Sequence, residues 1–344
     1  MRKATMRDVS QATGLSMFTV SKALNGGEGV SDESRELVLK AARELGYVPN
    51  RAAQELRRSS RDSVAVVTAH ASNSYYLNLM SGIQHVLEPS RWTVVLGDIA
   101  VNGAWDPAQE DRMINRLIES RMAGVISTVT LKPENLKLLE KWEIPVVFVD
   151  SPPCGEHPFP SVTTDNYHAS QQVGSHLAEH GYRDWLFLIY PTRWTTRFER
   201  ERGIRDAASQ CGAALTVLET ENDAHSASEM LGHYLAGVET LPDVLIAGNN
   251  PLLLGALKQL QQRQIVIPTD MAVVGYDEFD WAPLLNPPLT VLNENSEEIG
   301  RRAAEMLTRL IKAEEGTKGD PSACQLRVPA ELVIRQSCGC GGKK

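Results

Sequence analysis

The run Gly14-Leu15-Ser16-Met17-Phe18-Thr19-Val20-Ser21-Lys22-Ala23-Leu24-Asn25 restricts the N-terminal end of the chain to two helices crossing at a tight turn. Thr5 is placed to cap the first helix, and Asp8, three residues on, completes a capping box. Val9 and Ala12 supply that helix with an apolar edge. Gly14 suits a left-handed turn residue and Leu15 fills the angle between the helices. Ser16 caps the second helix, whose Val20 and Leu24 face inward. The outer side keeps Met17, Phe18, Thr19, Ser21 and Lys22, with Asn25 at its end. A helix presented in this way meets base edges and phosphates in the major groove of DNA. A generic three-helix module with a solvated face would share the same core, but the next segment argues against it.

Ser31 opens a third helix over Asp32 to Leu45, closed by Gly46. Tyr47-Val48-Pro49 is extended, because the residue before proline avoids the helical region. Asn50 then caps a short segment, Arg51 to Arg58, that carries Ala53, Leu56 and Arg57. So short a helix is marginal alone in water, so it should fold only against a partner. Its arginines point to a phosphate backbone, and Leu56 to a wedge at a minor-groove base step. An ordinary linker helix with a solvated charge run is the alternative.

Met6-Arg7-Asp8-Val9, the Gly14 to Asn25 run, Gly46 to Asn50, and Ala53 with Leu56 together resemble the headpiece of the LacI/GalR family of bacterial repressors. The resemblance extends over essentially the whole chain. It implies a homodimer whose hinge helices pair in the minor groove at the centre of a pseudo-palindromic operator. It implies a transcriptional regulator, a repressor of carbohydrate-utilisation genes, controlled by a small molecule in the large domain. Carried over residue by residue, the DNA contacts fall on Thr5, Ser16, Met17, Phe18, Thr19, Ser21, Lys22, Asn25 and Ser31. Asn50, Ala53, Leu56 and Arg57 follow in the hinge.

The charge distribution agrees. Residues 1–61 hold 11 Lys+Arg against 7 Asp+Glu, a net +4, so the remainder of a chain at −8 carries −12. A basic module on an acidic domain suits a specific DNA binder that must not coat nucleic acid everywhere. With 344 residues, two or three domains are expected: a headpiece over 1–49, a hinge over 50–61 and a core over 62–344. The core's lobes are expected at 62–163 with 291–323, and 164–290 with 324–340. No long apolar run suggests a membrane span, and no N-terminal stretch resembles a signal peptide, so the expected compartment is the cytoplasm. Cys154, Cys211, Cys324, Cys338 and Cys340 are odd in number and irregularly spaced, which argues against a disulfide framework. Cys338-Gly339-Cys340 reads as a reduced, frayed tail, with metal binding or a redox response the lesser alternative; no metal ligand set and no cofactor are expected. The glycine-rich end has no apolar heptads, so a coiled coil that would make tetramers is not expected.

From Ser63 onward short apolar runs alternate with amphipathic stretches. The strand candidates are Val64–Thr68, Trp92–Leu96, Gly124–Ser127, Val146–Val149, Leu186–Ile189, Val244–Ala247 and Ala272–Val274. Helical patterns lie at Tyr76–Leu87, Gln109–Arg121, His168–His180 and Pro251–Gln262. Continuously apolar strands alternating with helices mean parallel sheets covered on both faces. The fold class is therefore α/β: a helix-turn-helix headpiece plus a core of two doubly wound parallel-sheet lobes. The family resemblance gives that core the periplasmic-binding-protein type I fold.

Ligands of such folds bind beyond the carboxyl ends of the strands. The strand ends carry Asn73 and Tyr75, then Thr128, Asp150, Asn249 and Asp277, while Arg200 lies in a segment similar to the family's Arg-x-x-Gly-aromatic pattern. Asp150, Arg200, Asn249 and Asp277 would ring a sugar-like polyol with one bidentate donor among acceptors. Each also has a plain structural reading: helix caps, or an Arg200–Asp277 pair joining two loops. Trp281 and Trp194 are candidate stacking platforms, and His225 replaces an aromatic common in the family. The crowding of Arg193, Arg197, Arg200 and Arg202 hints at a sugar acid or sugar phosphate. No phosphate loop, dinucleotide fingerprint, zinc pair or nucleophile elbow is found, so the chain does not read as an enzyme.

Overall fold

The computed structural model describes residues 4–25, 27–48, 61–68, 73–90, 92–101, 104–153, 159–313 and 325–341. The chain divides into two compact units, Met1–Arg61 and Asp62–Lys344. Among the sequence candidates, Asn50, Ala53, Leu56 and Arg57 lie outside the described residues, as do Cys154 and Cys324.

The first unit is built from α1 (Met6–Thr13), α2 (Met17–Leu24) and α3 (Asp32–Glu44), each starting at a hydroxyl cap. Thr5 and Asp8 make the reciprocal capping box, and Ser16 and Ser31 accept from Thr19 N and Ser34 N. Gly14 at φ 70° and Gly46 at φ 63° take the left-handed turns. Val9, Val20, Ala23, Val38, Ala41 and Ala42 form the core, with Leu15, Leu24 and Tyr47 packed around it. Ala12 is exposed, contrary to expectation, because the inward stripe of α1 runs through Met6, Val9 and Thr13 on the other side of Val9. Arg35 donates to the carbonyls of Ala23 (3.1 Å) and Gly27 (2.9 Å), which fixes the chain leaving α2.

In the second unit β1 (Ser63–Thr68) leads into α4 (Ser74–Leu87), β2 (Thr93–Asp98) and the short antiparallel pair β3 (Ala100–Val101) and β4 (Ala104–Trp105). Then come α5 (Pro107–Glu119), β5 (Gly124–Ser127), α6 (Pro133–Lys141), β6 (Val146–Val149) and β7 (Ser161–Thr164). The second lobe continues with α7 (Asn166–Glu179), β8 (Asp184–Ile189), α8 (Thr196–Cys211), β9 (Ala214–Glu219), α9 (Ala224–Gly237), β10 (Val244–Ala247), α10 (Asn250–Gln262), β11 (Ala272–Tyr276) and β12 (Thr290–Asn293). The chain ends with α11 (Ser296–Ala313), β13 (Gln325–Val328) and β14 (Glu331–Val333).

Two six-stranded sheets result, in the orders β13-β7-β6-β5-β1-β2 and β14-β12-β11-β10-β8-β9. All pairings are parallel except that of the edge strand β14 with β12. β5, β10 and β11 are buried along their whole length, as strands covered by helices on both faces must be. In each sheet the order reverses beside the first strand, β1 or β8, so the loops after neighbouring strands diverge there and leave a crevice. α11 returns to the first lobe and lies so close to α4 that a Cβ on Gly300 would sit 2.1 Å from the Leu79 carbonyl oxygen. The expected lobe boundaries need correction at the C-terminal end. Gln325–Val328 pairs with Ser161–Thr164 in the first sheet, not the second. The chain therefore passes between lobes three times: after β7, after β12 and after β13.

The C-terminal segment is not a frayed tail. Cys338 is fully buried, and Ser337 ties into the second sheet through Val273 O (2.7 Å) and Thr290 N (2.8 Å). Among the described residues no helix is long and apolar enough to cross a membrane.

Candidate functional site

Two surfaces collect the chemistry. On the headpiece, Met17 (46% exposed) and Phe18 (71%) stand open at the start of α2. Such exposure of large apolar groups on a small module marks a contact surface. Lys22 Nζ lies 5.4 Å from the Phe18 ring and donates to Glu28 O at 2.8 Å. Thr19 bonds Ser16 through its hydroxyl, and Asn25 Nδ2 donates to Ser21 Oγ at 3.3 Å. Thr5, Ser16 and Ser31 all use their hydroxyls as caps, so each sits at the positive end of a helix, where a phosphate oxygen is favoured.

The second surface is the crevice between the core lobes. Asn73, Tyr75, Thr128, Asp150, Arg200, Asn249 and Asp277 line one cavity of about 60 Å³. Seven of the eight sequence candidates thus come together. Trp281 does not: it lines an adjoining cavity of about 400 Å³, with Leu253, Leu254, Leu257 and Phe279. The two cavities share Asn73 and Asn222. Trp194 takes the aromatic place in the first cavity, while His225 faces Glu229 at 3.5 Å on an exposed helix edge.

Asp150 (φ 63°) and Asp277 (φ 67°) follow their strands in the left-handed region, which aspartate tolerates better than most residues. Asp150 accepts from Tyr75 Oη and from Thr163 Oγ1 (2.8 Å); Asp277 accepts from Asn250 N (3.0 Å). Burial raises the Asp150 carboxyl above its ordinary range, against the opposing hydrogen bonds from Tyr75 and Thr163 and the charge of Arg200. Asn249 caps α10 and donates to Asn222 Oδ1 at 2.6 Å.

Arg200 is buried, and its fork is already committed. Nε donates to Asn166 Oδ1 (2.7 Å), one terminal nitrogen to Gly248 O (2.6 Å), and the other to Glu294. Its guanidinium lies 4.7 Å from the centre of the Tyr276 ring. The pair that forms is Arg200–Glu294, not the Arg200–Asp277 pair of the alternative structural reading. Glu294 follows β12 and had no motif to single it out; its one signal was an acid immediately after an apolar strand. Burial pushes its carboxyl well above the usual range; Arg200 works against this, and Asp277 and Asp150 add to it. Tyr76, Ser151, Tyr190, Thr196 and Asn222 complete the lining beyond the sequence candidates.

The neighbouring arginines are also engaged. Arg193 pairs with Glu221, Arg197 with Glu219 and Glu201, and Arg202 lies 4.3 Å over the Tyr167 ring. Three carboxyls around one paired guanidinium leave no surplus positive charge for an anionic ligand. The two lobes are also clasped to each other. Asn250 Nδ2 donates to Ser74 Oγ (2.9 Å), Thr195 Oγ1 to Asp150 O (2.8 Å), and Arg327 grips Glu199 with two bonds (2.7 and 2.8 Å). A cavity of about 60 Å³ holds a few waters, against roughly 10–15 Å³ needed for one, so a ring-sized ligand requires these clasps to part.

The family model described as "Bacterial regulatory proteins, lacI family" matches residues 5–50, and the "Periplasmic binding protein-like domain" model matches residues 175–338. The chain is 26% identical over 340 residues to the HTH-type transcriptional repressor PurR of Vibrio campbellii, covering 97% of this chain and 98% of that one. It has the fold of the Lac repressor dimer bound to operator and the anti-inducer ONPF, with TM-score 0.81, 22% identity, and coverage of 98% and 99%. It is also similar to the transcriptional regulator CelR–cellobiose complex, with 26% identity, TM-score 0.71, and coverage of 97% and 99%.

Proposed function

Because the chain belongs to the lacI family of bacterial regulatory proteins, we infer that it is a cytoplasmic, dimeric transcriptional repressor whose hold on its operator is set by a neutral sugar bound between the core lobes. The observation that carries the sugar reading is the acceptor-rich cavity. Asp150 and Asp277 converge on it from opposite lobes, while Arg200 is taken up by Glu294. Excess acceptors call for a ligand rich in hydroxyl donors, and a carboxylate takes two hydroxyls of a diol at once. Carbohydrate-utilisation genes are the matching targets, and the CelR–cellobiose likeness supports the same class. The absence of surplus positive charge favours a neutral sugar over the sugar acid or sugar phosphate that the arginine crowding suggested. A nucleoside is the second reading, favoured by the adjoining cavity with its Phe279 and Trp281 rings beside the polar one. Fluorescence anisotropy on the chain's own promoter, with neutral sugars, sugar acids and nucleosides added in turn, separates them. A shift with a neutral sugar is expected; a response to sugar acids or nucleosides alone overturns the sugar reading.

On DNA, Met17, Phe18 and Lys22 read the half-site, with residues 50–61 as the hinge between headpiece and core. Lys22 leaves the Glu28 carbonyl to donate to a guanine edge, and the two apolar side chains meet thymine methyl groups. Lys22→Ala costs about 1–3 kcal/mol at the matching base pair and relaxes preference there. Selection of sites from a randomised pool checks this, and an unaltered consensus would reject the assignment. Pseudo-palindromic operators demand two headpieces. Light scattering of the free protein is expected to give the mass of two chains, and a mass of four would count against it.

A further inference from the structure

We propose that His176, His180, Cys338 and Cys340 form a tetrahedral site for a zinc-like divalent cation that fastens the C-terminal segment to the second lobe. His176, in the last turn of α7, and His180, the residue that caps its C-terminal end, are one turn apart, so their rings face the same side and meet edge to face at 4.8 Å. The Cys338-Gly339-Cys340 turn brings two sulfurs to that face from more than 150 residues away in the chain. Cys340 Sγ lies 3.1 Å from His180 Nε2 and 3.9 Å from His176 Nε2. One donor atom from each of the four residues lies within 4.8 Å of all the others.

Zinc at about 2.3 Å from sulfur and about 2.0–2.1 Å from nitrogen places tetrahedral ligands roughly 3.3–3.8 Å apart, so side-chain adjustments of about an ångström complete the cage. Two thiols and two imidazoles in this arrangement select zinc over harder cations, which prefer oxygen. The surroundings are built for these ligands. Gly339 turns at φ +93°, and a Cβ there would lie 2.7 Å from Tyr182 Oη. Tyr182 donates to Cys338 O at 2.9 Å and stacks on the His180 ring at 5.4 Å, which holds the turn and the imidazole together. Thr290 Oγ1 sits 3.1 Å from Cys338 Sγ, a hydroxyl placed to donate to a thiolate. His176 and Cys338 are buried while His180 and Cys340 are half-buried, so the cation has a way in. On binding, both thiols pass their protons to solvent and both imidazoles ligate in the neutral form, with no change of oxidation state.

The test uses the full chain, reduced, stripped with a chelator, and titrated with Co²⁺ and then Zn²⁺. One Co²⁺ per chain, with thiolate-to-cobalt charge-transfer bands and the strong visible absorption of a tetrahedral ion, is expected. Zn²⁺ should displace it and raise the melting temperature. Cys340→Ser is expected to lose part of the charge-transfer intensity, and His180→Asn the stoichiometric binding. Both positions are half-buried, so the variants should fold, which circular dichroism checks. Cobalt spectra without thiolate bands, undiminished binding by both variants, or a Cys338–Cys340 disulfide persisting in reductant with no metal taken up would each overturn the proposal.

Discussion

Arg200→Ala should lower the unfolding free energy of the core by about 3–5 kcal/mol, the usual penalty for removing one partner of a buried ion pair. Arg200 is 4% exposed and holds Asn166, Gly248 and Glu294 at once, so alanine leaves three polar partners unmet and a void beside Tyr276. The largest part concerns Glu294, whose carboxyl would then share a dry cavity with Asp277 and Asp150 and no cation. Its folded-state pKa already lies above 4.5 through burial, and losing the opposing Arg200 raises it further. A carboxyl with a raised folded pKa favours the folded state below its unfolded value and loses that advantage as pH rises. The variant is therefore expected to be closest to the parent in acid, below the ordinary glutamate value of 4.5, and to fall behind as pH climbs above it. Urea denaturation at several pH values measures this. Adding Glu294→Gln should restore part of the loss, since the two substitutions act on one contact. A loss under about 1 kcal/mol at neutral pH would mean that the pair is not the pillar of this crevice. A failure of Arg200→Ala to respond to effector is then a consequence of a disturbed crevice, not evidence of a direct contact.

Asp277→Asn should instead leave the fold intact and weaken effector binding by about 1.5–3 kcal/mol, the worth of a hydrogen bond to a charged group. That corresponds to roughly a 10- to 140-fold rise in Kd. Asparagine tolerates the left-handed backbone at φ 67° and keeps an oxygen for the Asn250 N–H, so the strand end is preserved. What it loses is the charge and one acceptor facing the cavity. Effector-free operator affinity should match the parent, because an effector shifts the lobe equilibrium only by its differential affinity for the two arrangements. Calorimetric titration with the sugar found active on the operator decides it. Equal affinity in both proteins would make Asp277 a structural cap for α10 and would remove it from the binding site.

Much of this was legible along the chain, because it depends on interactions within one turn or one strand. Thr5, Ser16 and Ser31 cap their helices through bonds spanning three residues, and Gly14 and Gly46 adopt the left-handed conformation their positions required. Apolar runs such as Val244–Ala247 became buried parallel strands because such a run suits a strand covered on both faces. The residues that follow those strands, Asn73, Thr128, Asp150, Asn249 and Asp277, gathered in one cavity for the same reason: parallel strands put all their carboxyl ends on one side. Periodicity and capping thus determined the helices, the sheet class and the side on which a ligand would bind.

Partnerships across the fold were a different matter. Arg200 meets Glu294, 94 positions on, because β12 lies next to β11 and delivers an acid under α8; nothing near either residue announces the other. Trp281, plausible as a stacking ring, was carried past the strand end into the adjoining cavity, while Trp194 lines the polar one. β13 and β14 are separated by only two residues yet join different sheets, so the lobe boundary could not be read from chain position. The Cys338-Gly339-Cys340 turn looked like a loose end until the second sheet brought it against His176 and His180. Local rules act over a few residues, whereas side-chain pairing depends on strand order and on which chain segments cross between lobes. Those choices are made by burying the whole core at once, so only the tertiary structure decided them.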